Sequence, residues 1–176
     1  IAASADAVLE RVAAATDARE LGLLVHQGRE RIDYALDRET QAVRSATRLA
    51  PGRDLSGPLA FFAAGQRSRI ERAVADRGVP DVRLVTPEPD PVASRIVVRR
   101  KRPGTITLDD LAPDQRQGYP AASFSGPPVT ALYWCDGRRT LAEVIRLTQL
   151  ERGPGKFDFV GYFQFLEKRG YVEFVR

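Results

Sequence analysis

The side chains that could do chemistry are few and scattered. The single histidine, His26, falls one residue past an apolar stripe, and the single cysteine, Cys135, sits in an apolar run beside Trp134. A structural zinc site needs four ligands at short spacing, and a general base needs the proton it abstracts within hydrogen-bond reach. His26 therefore reads as a packing or surface residue, and Cys135 as a small buried residue with an inert thiol. The neighbouring carboxylates Asp109 and Asp110, with Asp136 further on, could act as acid and base, yet each suits a turn or a helix cap equally well. No phosphate loop, dinucleotide-binding glycine motif, nucleophile elbow or His-Glu-x-x-His pair occurs. The sequence names no catalytic residue, no metal ligand and no cofactor.

Two groups could act by contact. Arg99, Arg100, Lys101 and Arg102 form a basic run at a predicted hairpin tip, and Arg138 with Arg139 stands at the start of a predicted helix. Together they could grip phosphates or a protein partner, with a phosphate affinity that fades in salt. A solvated turn on an arginine-rich chain is the plainer reading, because the net charge of +4 is carried by arginine while lysine occurs only at 101, 156 and 168. The second group is aromatic and dense after residue 130. Large rings must build the core there. Not all of Tyr133, Trp134, Phe157, Phe165 and Tyr171 can point inward, and these five form a candidate aromatic interface. Helical spacing turns Phe165 away from Phe159, Phe163 and Leu166.

The elements that must position these groups follow from spacing. The apolar residues Ala131 to Cys135 predict a helix that stops at an Asp136-Gly137 turn. Thr140 and Glu143 stand at capping-box spacing before Leu141, Val144, Ile145 and Thr148. After Gly153, Asp158 caps a third helix that Gly170 closes, and residues 171–175 alternate as a strand. Upstream, Ser4 suits the cap of a short helix with Val8, Leu9 and Val12. Asp17 and Glu20 open a helix of about 30 residues that breaks at Pro51-Gly52. Such a helix is about 45 Å long, more than a small domain is wide. A third helix from Ser56 or Pro58, with Leu59, Phe62, Ile70, Ala73 and Val74 on its stripe, ends at Gly78 and pairs back on the second. Four prolines between 80 and 91 predict a linker. Residues 95–99 and 105–108 read as a β-hairpin joined through Pro103-Gly104, and 109–128 as a wrapping loop.

At 176 residues, 43% hydrophobic and 28% charged, the chain has the composition of a soluble globular protein and can bury a core without disulfides. No apolar run approaches the roughly 20 residues that cross a bilayer, and no charged-then-apolar leader is present. A cytoplasmic location is the expectation. The absence of methionine and the start at Ile1 predict a piece of a longer or processed product.

The run Ala131 to Ile145 resembles the winged-helix segment at the C-terminal end of bacterial zinc-dependent aminopeptidase-like proteins. The similarity extends to residues 104–109, to Arg116-Gln117-Gly118-Tyr119-Pro120 and to the stretch from Tyr162 to Tyr171. The long helix with Asp37-Arg38-Glu39 is similar to the helical part that bridges the two domains there. The resemblance implies that metal ligands and the acid-base glutamate lie in an upstream peptidase domain, so no catalytic residue is carried over. A shorter resemblance, over the last eighty or so residues, is to winged-helix chaperones that hold leader peptides in peptide-modifying pathways, where a partner adds as a strand to a sheet edge.

The expectation is an α+β chain: a helical hairpin with one long helix over 1–78, a Pro-rich linker over 79–92, and a winged-helix module with a small β-hairpin over 93–176. Its expected role is a non-catalytic interaction and oligomerisation region of an aminopeptidase-like protein. The partner is then a second copy or an upstream domain of the same protein. The alternatives are a DNA-binding winged-helix regulator and a peptide-binding chaperone module, and no membrane partner is expected.

Overall fold

Apolar residues at helical spacing draw the first part of the chain into three helices. The computed structural model describes residues 1–47, 56–120, 123 and 125–175. α1 (Ala2–Ala14) buries Ala5, Val8 and Val12. The expected cap Ser4 lies inside it: Ile1 takes the cap position without a side-chain bond, because Ala2 and Ala3 are strong helix formers that carry the helix past the serine. α2 (Ala18–Thr47) opens where the Asp17 carboxylate accepts the Glu20 N–H at 2.8 Å. Its 30 residues bury Leu21, Gly22, Leu24, Gly28, Ile32 and Ala35, and no described residue beyond Ala35.

α3 (Ser56–Ala75) runs antiparallel to α2, with Arg29 on Glu71 at 2.7 Å and Arg67 Nε on Asp33 at 2.9 Å. Gly28 lets the helices close, since a Cβ there would meet Ile70 Cδ1 at 2.7 Å. The inward positions of α3 are Ala63, Ile70 and Val74. Phe62, expected on that stripe, is 46% exposed: Ala63 takes the seam, and one residue along a helix is a turn of about 100°. α1 crosses both partners through Arg11 to Gln27 at 2.7 Å and Asp6 to Arg69 at 2.7 Å. The expected break at Pro51-Gly52 and the connection through 50–55 lie outside the described residues.

Gly78, at φ 65, turns the chain back. Residues 79–85, expected as the start of a linker, pack on α2. Val79 and Val82 join the aliphatic core, and the Val85 N–H reaches the Gly22 carbonyl at 3.4 Å. Gly22 makes room for this return, because a Cβ there would run into the Arg83 carbonyl. The chain divides into two compact units, Ile1–Pro87 and Glu88–Arg176.

In the second unit the Asp90 carboxylate accepts the Val92 and Ala93 N–H groups, each at 2.8 Å, and opens a single 3-10 turn at Ala93–Arg95. β1 (Val97–Arg100) follows. The expected hairpin with 105–108 does not form. β1 instead lies between two distant strands, β2 (Asp136–Thr140) and β3 (Val172–Val175), antiparallel to both. Residues 105–108 leave the sheet because Leu108, buried at φ 61, sinks into the core with Ile106 packed beside it. Burying a leucine is worth roughly 1.5–3 kcal/mol, more than one two-stranded ladder with a solvated face returns.

α4 (Pro127–Trp134) starts on two prolines and ends at Cys135. Asp136 and Gly137, expected as a free turn, form the bent start of β2, with Gly137 at φ 77 and Asp136 accepting the Arg138 and Arg139 N–H groups at 2.9 and 3.0 Å. Thr140 caps α5 (Leu141–Arg152) through the Glu143 N–H at 3.2 Å. Asp158 caps α6 (Phe159–Lys168) through the Gly161 N–H at 2.8 Å. Gly170, at φ 76, sends the chain into β3. The core seals Leu132, Leu141, Val144, Phe159, Tyr162, Phe163 and Leu166 against Val98 and Val172 of the sheet. The architecture is α+β: helices with one small antiparallel three-stranded sheet.

Candidate functional site

β1 alternates faces, so Val98 and Arg100 point with Val172 and Phe174 toward the helices while Val97, Arg99 and Glu173 lie on the other side. That alternation separates the basic run. Arg99 crosses Gly137 and pairs with Glu173 at 3.2 Å. Arg100 donates to the Gly104 carbonyl at 2.8 Å and lies over the Tyr133 ring at 5.3 Å. Arg102 pairs with Asp110 at 3.0 Å. Arg139 pairs with Asp136 at 2.6 Å and lies over the Trp134 ring at 5.4 Å. Lys101 and Arg138 are exposed. A phosphate reaching Arg99, Arg102 or Arg139 would have to displace a carboxylate.

The aromatic candidates divide more sharply. Tyr133 is 65% exposed and presents its ring to solvent beside Arg100. Tyr171 is buried at 6%. Phe157 meets Phe159 and Tyr162 edge-on at 4.9 and 5.6 Å, and Trp134 is half-buried under Arg139. Phe165 does turn away from the core side of α6, as its spacing requires. It is nevertheless covered, by the Tyr119 ring at 5.1 Å and by Arg169 at 5.6 Å. Tyr119 is thus the missing cover for α6, lying on Phe165 and on Tyr162 at 5.9 Å. Of the five, only Tyr133 offers an open ring.

Among the carboxylates, Asp136 is held below the usual carboxylate range, first by the Arg139 and Arg138 N–H groups it accepts and then by the Arg139 charge. Asp110 is lowered too, chiefly by the hydrogen bond it accepts from the Tyr171 hydroxyl, with Arg102 adding to it. Tyr171 in turn is pushed up to about 12 by burial and by Asp110. Spacing alone did not reveal this Arg102–Asp110–Tyr171 contact, whose partners lie far apart in the chain. It pins the segment after β1 to the residue that leads into β3, and a hydroxyl held that tightly to a carboxylate is a poor acid. The Cys135 thiol donates to the Ala131 carbonyl at 3.2 Å and is pushed up to about 12 by burial, so it is protonated and inert at neutral pH. His26 faces Glu30 at 3.3 Å along α2. Among the described residues no group of three or more His, Cys, Asp or Glu could hold a metal ion, and no helix is long and apolar enough to cross a membrane.

The first unit holds what the sequence did not single out. From Ser56 to Gly65 α3 carries no charged side chain, and Gly57, Pro58, Ala60, Phe61, Phe62, Ala64 and Gly65 all face solvent. Phe61 is 84% exposed. The signal was present: two adjacent phenylalanines on a helix lie about 100° apart and cannot both point into a narrow helix seam, and nothing in the ten residues around them is charged. On the other flank of the hairpin an open cleft of about 320 Å³ lies between Gly22, Val25, Val74 and Val79, with the Arg29–Glu71 pair at its rim. That is the small end of the range for ligand pockets, and the only charged groups there already hold each other.

No family model, curated protein or solved structure matches this chain.

Proposed function

We propose that this chain is a non-catalytic, protein-contacting C-terminal region of an aminopeptidase-like protein, and that residues 93–176 are a winged-helix module serving contacts and not a reaction. Support for the winged-helix reading is the order β2, α5, α6, β3, in which two helices stand between two strands of one sheet. β1 enters from upstream and fills the middle of that sheet. The aminopeptidase part rests on the sequence resemblance through Arg116 to Pro120 and Ala131 to Ile145.

One observation carries the protein-contact reading: the solvent face of α3, with Phe61 84% and Phe62 46% exposed in a ten-residue stretch free of charge. Covering a helix face costs most when ions must be stripped of water, and here there are none to strip. The face is held out by geometry. α1 spans about 20 Å against about 45 Å for α2, and its contacts with the hairpin reach Gln27 and Arg69.

The test has two parts. Phe61→Ser with Phe62→Ser raises the ammonium sulfate concentration needed to precipitate the chain while leaving the melting temperature within about 2 °C. An unchanged precipitation point with a fallen melting temperature would mean that the rings are core and the reading is wrong. Separately, the chain supplied with zinc or cobalt leaves aminoacyl chromogenic substrates intact, and turnover that rises with the metal overturns the non-catalytic assignment.

A further inference from the structure

We infer that the uncharged face of α3 binds the same face of a second copy of this chain, through a two-fold axis that lays the two α3 helices antiparallel. The inference rests on the protein-contact reading and names its partner. Three observations select a second copy over an unrelated protein.

The first is shape. Phe61 is the knob of the face, and Gly57 and Gly65, one turn before and one turn after it, are the hollows: no atom lies within 4 Å of where a Cβ would stand on either. A two-fold contact must be self-complementary, each patch supplying both what fits and what is fitted. An antiparallel copy seats each Phe61 against Gly65 of the other chain and brings the Ala60 and Ala64 surfaces together, where small side chains permit interaxial distances near 8 Å.

The second is charge. A chain of net charge +4 resists its own copy unless the meeting surfaces are balanced. Among the described residues, the first two cations on the C-terminal side of the face, Arg67 and Arg69, are held by Asp33 and Asp6. Along α2 the adjoining residues 36–47 carry Asp37 and Glu39 against Arg38 and Arg44, which sum to zero. Like meets like here without repulsion.

The third is area. An aromatic side chain brings about 150–250 Å² to a contact. At 84% and 46% exposure the two phenylalanines bring roughly 200–325 Å² per copy, and with the proline, alanine and glycine surface between them the two copies approach about 1,000 Å² in total, the threshold for a specific interface. That size fits a reversible dimer with a dissociation constant of about 1–100 μM.

Sedimentation velocity of the whole chain across a concentration series tests this. The mass rises from one copy to two and stops there, and Phe61→Ser weakens the association at least about tenfold while circular dichroism stays unchanged. A second, covalent readout uses the inert native thiol: with Cys135 buried, a cysteine introduced by Ala64→Cys is the one that oxidises, and it gives a disulfide-linked dimer. Glu10→Cys, exposed on α1, gives much less. A chain that stays a single copy, a dimer indifferent to Phe61→Ser, or cross-linking as efficient at 10 as at 64 overturns the inference. If the chain is a single copy yet its precipitation point still moves in the Phe61 and Phe62 variant, the protein-contact reading stands and only the second copy as partner is lost. If neither moves, both fall.

Discussion

The two units spend their aromatic residues in opposite ways. Glu88–Arg176 puts most of its large rings inside: Tyr162 and Phe163 are sealed, Phe157 and Phe165 pack edge-on or tilted against other rings, and four arginines lie over rings at the edges. Among the described residues, Ile1–Pro87 builds its core from Ala, Val, Leu and Ile alone, and leaves two of its three aromatics, Phe61 and Phe62, in solvent. Tyr133 apart, which is 65% exposed beside Arg100, a described ring in the second unit therefore belongs to folding. A ring left out by a helical unit whose core is already closed belongs to something else. The contrast marks the face proposed above as a contact surface, which aromatic density, peaking where the rings are least available, would miss.

The contrast can be sharpened or broken by variants. The largest effect is expected from Phe163→Ala, which costs the second unit about 3–5 kcal/mol through the lost ring and the cavity left behind. The sole tryptophan, Trp134, lies in that unit, so its fluorescence reports the loss in a urea titration. Helical ellipticity from the first unit persists to higher urea. A single transition for both signals would show that the units do not fold separately. In the first unit, Gly22→Ala forces the 83–85 return off α2 and costs about 1–3 kcal/mol by overpacking, with no change in the tryptophan transition. Asp158→Ala removes the α6 cap, at about 1 kcal/mol. An unchanged midpoint there would mean that packing alone holds α6.

Titration separates the units as well. Asp110 and Asp136 both have lowered pKa values in the fold. The stability they contribute is present above the ordinary carboxylate range and is lost as pH falls through their folded values. Tyr171, raised to about 12, acts at the other end: its contribution is present below about 10, the ordinary tyrosine value, and is lost as pH rises from there to about 12. All three groups lie in the second unit. Its tryptophan transition therefore moves at both extremes, and Asp110→Asn blunts the acid shift and the alkaline shift together. The smallest effect on stability belongs to Phe61→Ser, within about 0.5 kcal/mol, as for a surface residue.

Most local signals were legible in the sequence, the Ser4 cap excepted, because helix-forming Ala2 and Ala3 carry α1 past it. Thr140, Asp158 and Asp17 cap helices through the N–H groups that their spacing indicates, and Gly170 closes α6. The 30-residue α2 was readable from its stripe and its opening cap. What was not legible depended on partners distant in sequence. β1 could not be assigned its neighbours, because the hairpin with 105–108 was the nearest pairing, whereas the distant β2 and β3 occupy both edges of β1 and Leu108 is buried in the core. The exposure of Phe165 could not be judged without knowing that Tyr119 lies over it. Phe62 was placed on the inner stripe because a large apolar residue outranks an alanine in any hydrophobic count, whereas the close approach of α2 and α3 favours the smaller Ala63. The bare face of α3 was written plainly in residues 56–65, yet absence of charge draws less notice than a run of arginines.

The most direct measurement is hydrogen exchange of the backbone amides of α3 in the intact chain as protein concentration is raised. Amides of residues 57–65 should exchange more slowly at high concentration, those of 70–75 should not change, and Phe61→Ser should abolish the difference. Exchange across 57–65 that is indifferent to concentration, or slowing that survives Phe61→Ser, would contradict the claim that this face exists to be covered by another copy.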